Sequence, residues 1–134
     1  METMKIDVGR IYDDVTPGGR TARVLVDRLW PRGVSKERAA LDEWLKQVAP
    51  TPELRKWYGH APERFPEFRR RYEAELASGE QAQALAHLRE LAQSGPLLLL
   101  TASKDVAISE AAVLAELIGV ANVSVPGPGG GAQT

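Results

Sequence analysis

Val24-Leu25-Val26-Asp27-Arg28-Leu29-Trp30-Pro31-Arg32-Gly33 runs from three apolar residues straight into a charged, aromatic and turn-forming cluster. The Val24-Leu25-Val26 run is continuous rather than alternating, the pattern of a strand covered on both faces. Such a strand belongs to an α/β sheet, and the residues after it are delivered to one edge of that sheet. Open α/β sheets bind ligands beyond the carboxyl ends of their strands. The stretch therefore predicts both a fold class and the position of a site.

Upstream, Lys5 to Tyr12 places Ile6, Val8 and Tyr12 at even spacing, a half-buried first strand broken by Arg10. Asp13 to Gly19 is rich in turn formers and reads as a loop. The second strand runs from Arg23 to Leu29. Downstream, Ser35 is a suitable N-cap for a helix carrying Leu41, Trp44, Leu45 and Val48 on one face, stopped by Pro50. Thr51-Pro52-Glu53 is a second helix start, with a capping hydroxyl, proline at the first position and an acid near the positive end of the dipole. That helix spans Pro52 to Tyr58 and stops at Gly59.

Pro66 opens a longer helix with Phe65, Phe68, Tyr72 and Leu76 at helical spacing, closed by Gly79. Glu80 to Gln93 is another amphipathic helix. Pro96 to Ala102, with four consecutive leucines, predicts the central strand. Ser103-Lys104-Asp105 is a polar turn, Ile108 to Ile118 a helix ended by Gly119, and Val120 to Val125 a last strand. Residues 1–125 are expected to form one domain and Pro126 to Thr134 a flexible Pro/Gly tail. The predicted class is a single layered α/β domain. Its small, mostly parallel sheet is flanked by helices, with a helical insertion between the second and third strands.

Composition narrows the chemistry. The chain has 134 residues, 43% hydrophobic and 26% charged, with a formal net charge of -1. That balance argues against a broad basic surface for nucleic acid. The absence of cysteine excludes disulfides, thiolate catalysis and cysteine-ligated zinc or iron–sulfur centres. Two histidines, His60 and His87, form no metal-ligand motif, and no Gly-rich phosphate loop is present, so neither a metal nor a cofactor is expected. Met1 to Asp7 lacks the basic-then-apolar pattern of a signal peptide, and Pro96 to Leu100 falls far short of the about 20 apolar residues that span a bilayer. A cytoplasmic location without membrane contact is expected.

If the second and central strands are parallel neighbours, Asp27, Arg28 and Arg32 meet Ser103, Lys104 and Asp105 at one edge. Arg28, Arg32 and Lys104 would there hold an anion, and arginine suits bidentate oxyanion contacts. Asp27, His60 and Asp105 are the candidates for proton transfer. Trp30, between two arginines, is a stacking candidate, and Arg69 and Tyr72 are candidates for the pocket wall. Bland alternatives stand beside each. Asp27 paired with Arg28 or Arg32 would be an internal ion pair that fixes the loop. His60, at a helix end, would contact helix carbonyls. Arg69, Arg70 and Arg71 point in different directions around a helix, with Glu67, Glu73 and Glu75 close by, so they read as a solvated face and no tight duplex DNA binding is expected. The partner class these residues suit is an anionic, phosphate-bearing small molecule; assembly state is not readable. The alternative is a non-enzymatic protein- or nucleic-acid-binding module.

Leu25 to Gly33 with its Leu-Trp-Pro-Arg-Gly motif, Leu41 to Lys46, Ala49-Pro50, Glu53 to Tyr58, and Phe68-Arg69 with Tyr72 and Glu75-Leu76 together resemble the YeaO-like family, a bacterial domain of unknown function. The resemblance covers about Lys5 to Ile118. It implies a cytoplasmic single-domain α/β protein and assigns no activity. Members of that family often carry an amide or imidazole where Ser109-Glu110-Ala111 stands here. Some members are labelled MarR-type regulators, but this sequence lacks a winged-helix pattern and a basic recognition helix.

Overall fold

A computed structural model describes residues 5–13 and 21–123. Among the described residues, four parallel strands lie in the spatial order β1-β4-β2-β3: β1 (Ile6–Arg10), β2 (Ala22–Leu25), β3 (Glu43–Trp44) and β4 (Leu97–Thr101). The leucine run of β4 takes the centre, where Leu97 pairs with Ile6 on one side and Ala22 on the other. Every residue of β4 is buried, as expected for a strand covered on both faces. Side chains alternate across the sheet. Leu97 and Leu99, with Val24 and Val26, enter the larger core against Phe68, Tyr72, Leu88 and Leu114. Leu98 and Leu100, with Leu25, enter a smaller core under Val34, Ala39, Trp30 and Trp44. Each such buried aliphatic side chain contributes about 1.5–3 kcal/mol.

The helices of the described residues complete the layers: α1 (Lys36–Ala39), α2 (Pro52–Tyr58), α3 (Phe65–Glu75), α4 (Gly79–Ser94) and α5 (Glu110–Val123). The start of α2 is the predicted one. The Thr51 hydroxyl accepts from the Leu54 amide at 3.2 Å, Pro52 opens the helix, and Gly59 ends it in the left-handed region at φ 54°. Glu75 ties this start to the end of α3 by accepting from the Thr51 amide (3.0 Å) and hydroxyl (2.6 Å). Among the described residues no helix is long and apolar enough to cross a membrane.

The structure departs from the sequence pattern at β2, which ends at Leu25 rather than Leu29, and in three further places. Ser35 does cap a helix, accepting from the Arg38 amide, but that helix ends at Ala39 and Ala40 turns left-handed. Beyond it come β3 and a short 3-10 turn at Lys46–Val48, not more helix. The reason is tertiary: Leu41 and Trp44 pack on one face of the sheet, whereas Leu45 and Val48 are buried on the other. No single helix face can serve both. The helical insertion still lies between β2 and β4, the predicted second and third strands, with the short β3 within it. Second, Gly79 does not close α3, which ends at Glu75; it opens α4. Third, α5 passes through Gly119, so residues 120–123 are helical rather than a last strand. The tail prediction for residues 126–134 lies outside the described residues.

Candidate functional site

The strands are all parallel, so their carboxyl ends share one edge. There Tyr12 follows β1, Asp27 and Arg28 follow β2, and Ala102 and Ser103 follow β4. Together with Arg55 and His60 from α2 and its end, and Glu110 from the start of α5, they border a cleft of about 310 Å³.

Asp27 forms the floor. Its carboxylate accepts from the Thr101 hydroxyl at 2.8 Å and from the Ala102 amide at 2.7 Å, which binds β2 to the end of β4. Its own carbonyl accepts from the Trp44 indole at 2.8 Å. Glu110 lines the same cleft beside Asp27. Burial, the bond to Asp27 and the Asp27 charge push the Glu110 carboxyl well above the usual carboxylate range, with Arg55 opposing. Glu110 therefore holds its proton to higher pH than an ordinary carboxyl.

Around that floor stand Arg28, Arg32 and Arg55. Arg28 donates to the Ala49 carbonyl at 3.0 Å and to the Pro50 carbonyl at 3.4 Å, clamping the segment before α2. The expected internal ion pair is not what forms, since Asp27 is held by β4 and Arg28 by these carbonyls. Arg32 is exposed on a turn that Gly33 permits at φ 80°. The turn is pinned by the Tyr12 hydroxyl, which donates to the Arg32 carbonyl at 2.9 Å, and by the Trp30 indole, which donates to the Val34 carbonyl at 2.7 Å. Trp30 lines the cleft while its ring packs edge-on against Trp44, centroids 5.3 Å apart. Tyr58 donates to the Ile108 carbonyl at 2.7 Å. Burial, with Asp105 and Glu110 behind it, pushes its hydroxyl up to about 12, so it stays a neutral donor.

The remaining predicted residues divide. His60 lines the rim in a left-handed conformation, φ 56°. Lys104 and Asp105 border a neighbouring depression, and Asp105 accepts from the Ala107 amide at 3.2 Å. Tyr72 does not reach the cleft surface; it is fully buried and donates to the Val48 carbonyl. It thus supports the Ala49–Pro50 segment that Arg28 grips. Arg69 is also elsewhere, paired with Glu73 at 3.1 Å and with Glu116 on α5.

Arg55 and Glu110 join the site without being predicted for it. Arg55 lies three positions before Tyr58, on one face of one helix, and that spacing is the signal the sequence offers. Glu110 is hidden because an acid at a helix start reads as a dipole partner.

Residues 5–124 match the family model described as the inactive DUF488-N3 subclade. The chain is 46% identical over 114 residues to the uncharacterized protein Rv3073c of Mycobacterium tuberculosis, covering 85% of this chain and 93% of the relative. It is 42% identical over 113 residues to the uncharacterized protein YeaO of Escherichia coli, covering 84% and 96%. No solved structure matches it significantly.

Proposed function

From the premise that the chain belongs to the YeaO-like DUF488 family, in its inactive DUF488-N3 subclade, we propose that it is a binding domain for a small phosphate-bearing anion, held at the carboxyl edge of the sheet. One observation carries the reading. Arg28, Arg32 and Arg55 border a cleft whose lining holds two acids, Asp27 and Glu110, so its guanidinium groups outnumber its carboxyls. Guanidinium groups that converge on a cleft are strong phosphate partners. Asp27 and Glu110 shape the floor, and Trp30 and Tyr12 hold the Arg32 turn in place. The description of the subclade as inactive favours binding over turnover. A proton-transfer reading draws on the same Glu110, whose carboxyl is raised above the usual carboxylate range in the direction a general acid needs.

Isothermal titration with inorganic phosphate at low salt tests the binding reading. Wild type and Arg70→Ala should bind alike, and Arg55→Ala should lose about tenfold or more in affinity. Absence of binding by the wild type, or equal binding by Arg55→Ala, would rule the reading out.

A further inference from the structure

We propose that the cleft is one half of a longer groove, and that the groove takes a phosphate chain with at least two anionic groups rather than a single phosphate. This rests on the reading of the cleft as an anion site. Beside it lies a second depression of about 440 Å³, and the two share His60, Ala102 and Ser103 in their linings. The second depression brings its own cation, Lys104. Among the described residues the Lys104 side chain has no hydrogen-bond or ion-pair partner, unlike Arg69, Arg70 and Arg71, each held by a glutamate. Arginines therefore gather at one end of the combined groove and an unpaired ammonium at the other, with the Ser103 hydroxyl and the His60 imidazole between them.

The two halves are built from the same rigid pieces. Their common floor is the end of β4, where Asp27 holds the Ala102 amide at 2.7 Å and Thr101 holds the Ser103 amide at 3.2 Å. Their common wall is the end of α2. Gly59 and His60 are successive left-handed residues, φ 54° and 56°, and the second is unusual for a side chain with a Cβ. That turn puts the imidazole at the junction, with its ring 5.7 Å from Tyr58. Tyr58 in turn bolts α2 to the Ile108 carbonyl, in the far wall of the second depression. Asp105, the carboxylate that borders the second depression, accepts from the Ala107 amide at 3.2 Å and so serves its own turn.

The test is calorimetric titration of wild type and Lys104→Ala with orthophosphate, pyrophosphate and ADP. Lys104 is exposed, so its removal should spare the fold. Wild type should bind pyrophosphate about tenfold more tightly than orthophosphate. Lys104→Ala should lose most of that gain and leave orthophosphate unchanged. ADP tighter than pyrophosphate, with the same Lys104 dependence, marks the chain as part of a nucleotide; equal affinities mark the phosphate chain alone as the ligand. Orthophosphate binding with pyrophosphate affinity indifferent to Lys104 overturns the groove and leaves the first cleft standing. No binding of orthophosphate or pyrophosphate overturns both.

Discussion

Arg28 and Arg70 carry the same group and should differ sharply when removed. Arg28 donates to two carbonyls at the start of the segment that leads into α2, in a half-buried position. Arg70 is exposed and pairs with Glu67 at 2.6 Å, an arrangement worth little in water. Arg28→Ala should lose roughly 1–3 kcal/mol of stability and Arg70→Ala well under about 1 kcal/mol, measured by urea denaturation. Equal midpoints would show that the Arg28 clamp contributes nothing. Glu110 makes a pH prediction. Its carboxyl is raised in the folded protein, so the folded state holds the proton more tightly than the unfolded one. The contribution of Glu110 to stability is then fully present below the ordinary carboxyl range and is lost as pH rises through the folded value. Glu110→Gln has no proton to lose. It should melt higher than wild type at about pH 8 and close to wild type at about pH 4; an unchanged gap between the two conditions would refute the raised carboxyl. At this scale Asp27 and Arg28 are legible in the sequence, because charge directly after an apolar strand has few places to go. Glu110 and Arg55 are not, because what brings them to this edge lies far away in the chain.

Helix ends show where local pattern suffices. Thr51, Pro52 and Gly59 bound α2 as their residue types require, since each satisfies a backbone need close to itself in the chain. The end of α1 carries no such mark. Ala40 takes the left-handed cap, φ 46° and ψ 48°, and its amide donates to the Lys36 carbonyl at 3.0 Å. Glycine would advertise that turn; alanine conceals it, and the sequence pattern carries the helix on to Pro50. Ala40→Gly should raise stability by about 0.5–1 kcal/mol, because relief of the left-handed strain exceeds the added chain entropy. A lower melting temperature by circular dichroism would mean that the cap is unstrained. The two-residue β3 escapes for a related reason. It is too short to show alternation, and pairing with Val24 and Leu25 is what makes it a strand.

The whole surface bears on nucleic acid. Arg70 and Arg71 both hold Glu67, at 2.6 and 2.8 Å, and bring its carboxyl down to about 2. Arg69 is taken by Glu73 and Glu116, and Arg71 also lies 4.2 Å from the centre of the Trp57 ring. Cations already paired release few counterions from a phosphate backbone. Fluorescence anisotropy at physiological salt should therefore show no duplex DNA binding tighter than about micromolar. Nanomolar binding that weakens steeply with salt and is lost on replacing Arg69 to Arg71 would overturn that expectation. The α/β class, the buried β4 leucines and the charged edge after β2 can be read from the chain alone, since hydrophobic runs and turn residues act over a few neighbours. The order β1-β4-β2-β3, the splitting of Leu41 and Trp44 from Leu45 and Val48, and the meeting of Asp27 with Glu110 cannot. Each depends on contacts between segments distant in sequence, and such contacts exist only once the sheet has brought β2, β4 and α5 to a common edge.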